Sequence, residues 1–408
     1  MAPERTYHDP LHGAITLSRT DRTEALLIEL IDTPAFQRLR RIRQLGLASL
    51  TFHGGEASRF THSLGVMAIT RRAFNRLCLS TPSLLPHRAL VLCAALLHDI
   101  GHGPFSHTGE EVFRTNHEIW TCKILNESLP IQTLLDSHDP SLRSQLVQIY
   151  QKSHPMPCLW QLISSQLDCD RLDYLMRDSY MTGVSYGQLD LDRILLALQV
   201  DPKTQQLVVA RKGLGAIEHY LVVRSFMYSQ VYNHGKNIAA TWLLDRAFTR
   251  ARDLLATGQE LAMDETVLAW LNAKEVPMAL ADYLTGDDTV FQYHLQRWQA
   301  NPDPILSDLC RRCCDRDLFK AREVSHLEPA EQQERFHQVQ QEMRTIGLDP
   351  QYYTGFRVAR SKGYALYQKG IKLQQDGELT EISEVSPLVK TIATTQERAW
   401  VVAVERSD

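Results

Sequence analysis

Leu96 to His107 reads LLHDIGHGPFSH, which sets His98, Asp99, His102 and His107 directly behind the apolar run VLCAALL. Histidine and aspartate are rarely fully buried unless paired or bound to metal, so ionisable groups at the end of a core helix need a partner. A metal ion is the simplest charge that settles them. A catalytic divalent ion takes nitrogen or oxygen ligands from several elements and leaves positions open for water and substrate. His62, in RFTHSLG, supplies another imidazole at or near a helix start. SSQLDCDRLDYLMRD at 164–178 offers four carboxylates, Asp168, Asp170, Asp173 and Asp178, any of which would complete the set. Mixed imidazole and carboxylate ligands suit Mn, Fe, Zn, Co, Ni or Mg, and the absence of thiolates argues against a closed structural zinc.

The elements that must position these groups are mainly helical. The first twenty residues, with DPLHG and AITLS, read as a turn and a short extended piece leading into the helices. From Glu24, Leu26, Leu27, Leu30 and Ile31 are spaced for one buried face, and Asp32-Thr33-Pro34 closes that helix and opens the next. PAFQRLRRIRQLG then reads as a helix stopping at Gly46, with Phe36, Leu39, Ile42 and Leu45 as its apolar stripe. Its arginines, 38, 40, 41 and 43, read as a solvated face with local ion pairs.

Further helices are expected over 86–97, 117–128, 141–152 and 158–178, then from Gly213 to about Leu255. QVDPKTQQLVVAR, near 199–211, reads as a short hairpin turning at Asp201-Pro202. The chain divides into a helical core over 1–255, a helical extension over 256–345 without recognisable chemistry, and a small α+β region over 346–408. In that last region RVARSKGYALY, GIKLQQDGELTEI and RAWVVAVER suggest a small sheet with one intervening helix. The fold class is mainly α.

A chain of 408 residues with 44% hydrophobic content can bury a large core, and its net charge of -4 provides no basic surplus for gripping nucleic acid. No long apolar span or signal peptide is visible, so no membrane role is expected. The eight cysteines are mostly scattered among helical patterns, which points to reduced thiols in a cytoplasm. Cys310-Arg311-Arg312-Cys313-Cys314 lacks a second CxxC or histidine pair to complete a thiolate site, so it reads as helix-packed thiols.

The separated His62, the adjacent His98-Asp99 and the later Asp170 resemble the signature of HD-domain phosphohydrolases. IDTPAFQRLRRIRQLG, RFTHSLGV, LLHDIGHGPFSH, NHEIW and DCDRLDYLMRD resemble, in the same order, blocks of the SAM-and-HD-domain dNTP triphosphohydrolases and their bacterial relatives. No SAM domain precedes the match, so functions tied to that module are not implied.

The resemblance implies an HD-domain helical core and cleavage of a deoxynucleoside triphosphate to the deoxynucleoside and inorganic triphosphate. By motif, His62, His98, Asp99 and Asp170 would hold a divalent metal. His117 of NHEIW would be the proton donor or a phosphate-activating histidine, and His102 and His107 would face the phosphates. Arg59 and Arg224 match positions that contact phosphate, where a guanidinium fork suits the target. Gln44, Leu45, Tyr174 and Asp178 match positions lining the sugar, and Tyr232 and His234 match positions that close around sugar and phosphates. Some members are activated by a guanine nucleotide at positions matching Asp32, Gln37 and Arg40, and dimers or tetramers are the family's habit.

Two departures stand out. The usual Gln-His-Lys run is replaced by Asn233-His234-Gly235-Lys236, which removes the lysine or displaces it by one residue. His8 stands where the family has the asparagine of Asn-Asp-Pro. Two other classes stay open from the residues alone: an HD phosphohydrolase for another nucleotide or phosphoester, and a non-catalytic protein that senses nucleotides or binds nucleic acid.

Overall fold

The computed structural model describes residues 3–273, 277–362, 364 and 370–405. It is mainly helical, with small sheets. The apolar run ahead of His98 forms the helix Arg88–Leu97, whose residues from Leu90 onward are all buried. Because it is apolar on every side, it can sit only at the centre of a bundle. The helix Arg59–Ser80, capped by the Ser58 hydroxyl, packs on one side of it, and Cys169–Thr182, capped by Asp168, packs in turn on Arg59–Ser80. Arg22–Ile31 and Leu142–Tyr150 close other faces of the bundle. No helix among the described residues is long and apolar enough to cross a membrane.

Among the described residues, nine strands accompany the helices: β1 Glu4–Asp9, β2 Gly13–Ser18, β3 Leu198–Val200, β4 Leu207–Ala210, β5 Lys320–Glu323, β6 Thr354–Lys362, β7 Lys372–Gln375, β8 Glu378–Glu381 and β9 Thr395–Ala403. They make a hairpin, β1-β2, and two small sheets ordered β3-β4-β7-β8 and β5-β9-β6. The predicted hairpin near 199–211 is β3-β4, and β7 joins it in parallel. β5 pairs with β9 antiparallel. The sheets therefore tie the C-terminal region both to the helical core and to the stretch 256–345.

Several sequence expectations are corrected. DPLHG is the turn of a true hairpin, since ERTYHD pairs with GAITLS from Glu4↔Ser18 to Asp9↔Gly13. PAFQRLRRIRQLG does not hold one helix: a single turn, Pro34–Gln37, passes into the 3-10 turn Arg38–Arg41, and Ile42 is extended. Phe36, Leu39 and Ile42 are buried as expected. The arginines are not one solvated face. Arg38 is 2% exposed and donates to the carbonyls of Ile100, His102 and Gly286, which draws the chain inward and ends regular helix.

The run 158–178 is two helices, Pro157–Gln161 and Cys169–Thr182, separated by a turn in which the Ser165 amide donates to the Asp168 carboxylate and the Ser165 hydroxyl to the Leu167 carbonyl. The stretch after Gly213 is also two helices, Leu214–Met227 and Gly235–Ala256, joined through a π-helical turn at Tyr228–Tyr232. The helical extension contains a strand, β5. Among the described residues of the C-terminal region, two short helices, Ile382–Val385 and Pro387–Ile392, lie between β8 and β9 instead of one, and a further one, Pro350–Tyr353, precedes β6. The Ala365–Tyr367 end of RVARSKGYALY lies outside the described residues. All eight cysteines are free thiols, with Cys310 buried in the helix Pro304–Asp315.

Two hydrophobic cores meet along the chemistry-bearing stretch. Ile100 belongs to the bundle core, and Phe105 belongs to a second core built on the helix Gly235–Ala256 with Trp270, Tyr283 and Phe291. Residues 101–104 cross the seam between them.

Candidate metal and phosphate site

The helix Arg88–Leu97 ends at His98, and the chain turns sharply through Asp99 to Pro104. The turn is packed against its neighbours. A Cβ on Gly101 would stand 2.2 Å from the carbonyl oxygen of His117, so no larger residue fits there. This ending lets His98 and Asp99 converge although they are adjacent in sequence.

His98 Nε2 lies 3.3 Å from His62 Nε2 and 3.3 Å from Asp99 Oδ1. Asp170 Oδ1 lies 3.1 Å from His62 Nε2 and 3.7 Å from His98 Nε2. The far side of each ring is already committed. His98 Nδ1 donates to the carbonyl of Ala95 at 2.8 Å, and His62 Nδ1 donates to Asp173 Oδ2 at 2.7 Å. Both Nε2 atoms are thereby left as lone-pair donors facing each other and two carboxylates. Four electron-rich groups converge this way only around a cation, so these residues fit a divalent metal.

Without a metal, a proton takes that role: burial alone would lower the His62 imidazole, but Asp170 and Asp173 outweigh it and raise it to about 10. Burial alone would likewise raise the Asp99 carboxyl, yet Arg59, His98 and His102 hold it well below the usual range.

Asp173 is a residue that sequence reasoning grouped among the carboxylates without giving it a task. It is fully buried and receives His62 Nδ1, His12 at 2.5 Å and two nitrogens of Arg177. Asp9 fixes that geometry, because its carboxylate accepts from the amides of Leu11 and His12 and from Arg177. The DPLHG turn thus supports the candidate metal site.

The second group is a stack of imidazoles. The rings of His102 and His117 lie parallel with centroids 4.0 Å apart, and His107 stands edge-on, 4.9 Å from His102 and 5.4 Å from His117. Glu110 holds two of them, accepting from His107 Nδ1 at 2.7 Å and from His117 Nδ1 at 2.8 Å. Nε2 of each of those rings remains available to a ligand. Burial pushes the Glu110 carboxyl up, but His107 and His117 outweigh it and hold it far below the carboxylate range. His102 is 1% exposed, and burial, with Arg59 and His117, keeps it neutral. Glu110 was missed from the sequence, although its position three residues beyond His107 on a helix is a usable signal.

Arg59 sits between the two groups with all its nitrogens engaged: it pairs with Asp99, donates from Nε to Ser106 at 2.8 Å and reaches the Gln44 carbonyl at 3.4 Å. On the other side, Tyr232 donates to Asp178 at 2.8 Å, Tyr174 stands edge-on to Tyr232, and Arg224 donates to Gln166 at 3.0 Å beside Tyr228. Burial raises the Asp178 carboxyl to about 7. Leu45 precedes the left-handed Gly46, whose missing Cβ would stand 2.6 Å from the Phe105 carbonyl oxygen.

His234 stands apart from the imidazole stack. It caps the helix Gly235–Ala256, accepting from the Lys236 amide, and its ring lies edge-on to Phe52; Lys236 is exposed. Asp32, Gln37 and Arg40 cluster elsewhere on the surface. Asp32 pairs with Arg5 at 2.5 Å, and Arg40 donates to Gln37 at 2.8 Å while lying over the Phe60 ring.

Five buried polar atoms in this region have no hydrogen-bond partner among the described residues: Gln44 Oε1, Asp178 Oδ1, Arg224 Nε and both ring nitrogens of His102. Buried polar groups are ordinarily satisfied, so these five atoms stand out.

Comparison with known proteins gives a consistent outcome. A model described as HD domain matches residues 59–173, and one described as HD associated region matches 189–405. An uncharacterised protein of Bacillus subtilis, YwfO, is 36% identical over 96% of this chain and 90% of its own length. The deoxynucleoside triphosphate triphosphohydrolase SAMHD1 of Danio rerio is 28% identical over 61% of this chain, and the Dictyostelium discoideum homolog 30% over 58%. The chain spans about half the length of those two relatives, 45% and 48%. The crystal structure of a phosphohydrolase from Bacteroides thetaiotaomicron superposes with a TM-score of 0.85 at 29% identity, covering 99% of this chain and 100% of that one.

Proposed function

The chain belongs to the HD-domain phosphohydrolase family, whose members depend on a divalent metal, and on that premise we propose that it hydrolyses a deoxynucleoside triphosphate to the deoxynucleoside and inorganic triphosphate. The observation that carries this reading is the set of unpartnered buried atoms on Gln44, His102, Asp178 and Arg224. Together they present an acceptor for a sugar hydroxyl and donors for an anion beside the metal ligands.

His62, His98, Asp99 and Asp170 hold the metal. When bound, the ion supplies Lewis-acid polarisation of a phosphate oxygen. Arg224 and the charge of Arg59 attract the triphosphate, and His102 and His107 orient it. His117 delivers a proton to the departing 5'-oxygen, with Glu110 fixing its Nδ1 so that Nε2 faces the substrate. Asp178 accepts from the 3'-hydroxyl, and Tyr174 and Tyr232 close on the sugar face, where an extra 2'-hydroxyl meets a ring. Gln44 and Leu45 line the same sugar. His234 closes from the helix cap. Asp32, Gln37 and Arg40 form the corresponding position for a guanine nucleotide activator, and the chain assembles as a homo-oligomer.

The test is product analysis. Purified protein with Mn or Mg and each dNTP is expected to release deoxynucleoside and triphosphate in equal amounts. Release of orthophosphate without triphosphate overturns the reading in favour of another phosphoester substrate. Bound nucleotide without turnover, across several metals and added GTP, overturns catalysis altogether.

A further inference from the structure

We infer that Asp288, from the helical extension, is a positioning residue that locks the phosphate-facing turn to the sugar-facing segment. Its role rests on the proposed reaction for its catalytic consequence. Asp287 and Asp288 open the helix Asp288–Trp298. Asp287 does the capping, accepting from the amides of Thr289 and Val290, and it pairs with Arg41 at 2.5 Å. Asp288 is turned inward, 4% exposed, and accepts at both oxygens from backbone far away in sequence. Oδ1 takes the amide of Phe105 at 2.7 Å, and Oδ2 takes the amide of Arg43 at 3.0 Å.

Those two amides flank the chemistry. Phe105 and Ser106 both adopt positive φ, 60° and 55°, between His102 and His107. A bulky non-glycine residue in that region is an outlier that persists only where its surroundings over-determine it. Arg43 directly precedes Gln44 and Leu45. Ser106 adds a cross-link, donating from Oγ to the Arg43 carbonyl at 2.5 Å while it receives Arg59. One carboxylate thus sets the distance between the turn bearing the phosphate histidines and the segment bearing the sugar contacts.

The neighbouring contacts act in the same direction. Tyr283 donates to the Gly101 carbonyl at 2.5 Å, and Arg38 joins the Gly286 carbonyl at 2.9 Å to that of His102 at 2.6 Å. The 283–288 segment is the backing plate of the turn 100–106, which gives a task to a stretch without chemistry of its own.

The experiment compares Asp288→Asn and Asp288→Ala with Asp264→Ala, which removes an ordinary helix cap in the same extension. Amide hydrogen exchange needs no turnover, so it tests the clamp even if the dNTP reading fails. Asp288→Ala is expected to raise exchange over 101–107 and 43–45 with metal content retained. The kcat for dNTP is expected to fall roughly tenfold to a hundredfold, the scale of an ångström of misplacement, with Asp288→Asn intermediate because one acceptor oxygen survives. Asp264→Ala should leave kcat and exchange at those segments unchanged. Unchanged exchange in Asp288→Ala overturns the inference, as does a loss of kcat matched by equal loss of metal or by the Asp264 control.

Discussion

Asp173 Oδ2 stands 2.7 Å from Nδ1 of His62, on the edge of the ring opposite the nitrogen that faces Asp170. A carboxylate in that position fixes the tautomer and raises the basicity of the ligand nitrogen. Asp173→Asn keeps the volume and removes the charge, so metal affinity is expected to weaken roughly tenfold to a hundredfold. Chelator competition measures it, and excess metal should restore much of the activity. An unchanged dissociation constant would remove Asp173 from the metal site.

The imidazoles divide into two tasks. His98→Ala or Asp99→Ala is expected to abolish bound metal and turnover together, because each removes a ligand from the cluster of His62, His98 and Asp99. His102→Ala or His107→Ala should leave metal bound while kcat falls, on the order of a hundredfold or more. Elemental analysis beside steady-state kinetics separates the two outcomes. Loss of metal from the second pair would place those histidines among its ligands.

Asp178 imposes a pH dependence. Its folded-state carboxyl is raised by burial to about 7, above the ordinary value. Sign follows from linkage: the stability it contributes is fully present below the ordinary carboxylate range and is lost as pH rises through about 7. Asp178→Asn is therefore expected to raise Tm at pH 8 and to have little effect on it at low pH, read by thermal melts across the range. In the proposed reaction the ionised form accepts the 3'-hydroxyl, so KM should rise as pH falls below 7 in the wild type and lose that step in the variant.

Arg38 is a structural anchor. Buried and bonded to three carbonyls, it leaves those acceptors unsatisfied when truncated. Arg38→Met is expected to cost about 3 kcal/mol of stability, on the scale of a buried hydrogen-bonded charge whose partners are orphaned. Chemical denaturation checks it. A change under 1 kcal/mol, roughly, would mean the carbonyls find water instead.

Glu110→Gln tests the third support. It keeps an oxygen for one of the two histidines and cannot serve both Nδ1 atoms. The kcat should fall roughly tenfold with KM and metal content held, and a flat response would release His117 from dependence on Glu110.

Much of the helical core was legible because its signals are local. The apolar run into His98, its glycine-rich exit and the helix start near His62 are each set by a few neighbouring residues. The run PAFQRLRRIRQLG misled for the opposite reason. Its apolar spacing is helical, but Arg38 is drawn to carbonyls of residues 100, 102 and 286, and a local pattern contains no trace of such partners. Strand β1 was missed likewise, since ERTYHD becomes a strand through pairing with GAITLS rather than through its own composition.

By itself the sequence determined which groups could do chemistry: the types and order of His62, His98, Asp99 and Asp170, and the histidines at 102, 107 and 117. Tertiary structure alone decided how they act. It placed Asp173 behind His62, Glu110 between two imidazoles and Asp288 across 183 and 245 residues of chain onto Phe105 and Arg43. The physical reason is range. Residue type and helical phase are properties of a short window, whereas orientation, tautomer and charge state follow from contacts that exist only once distant elements have packed.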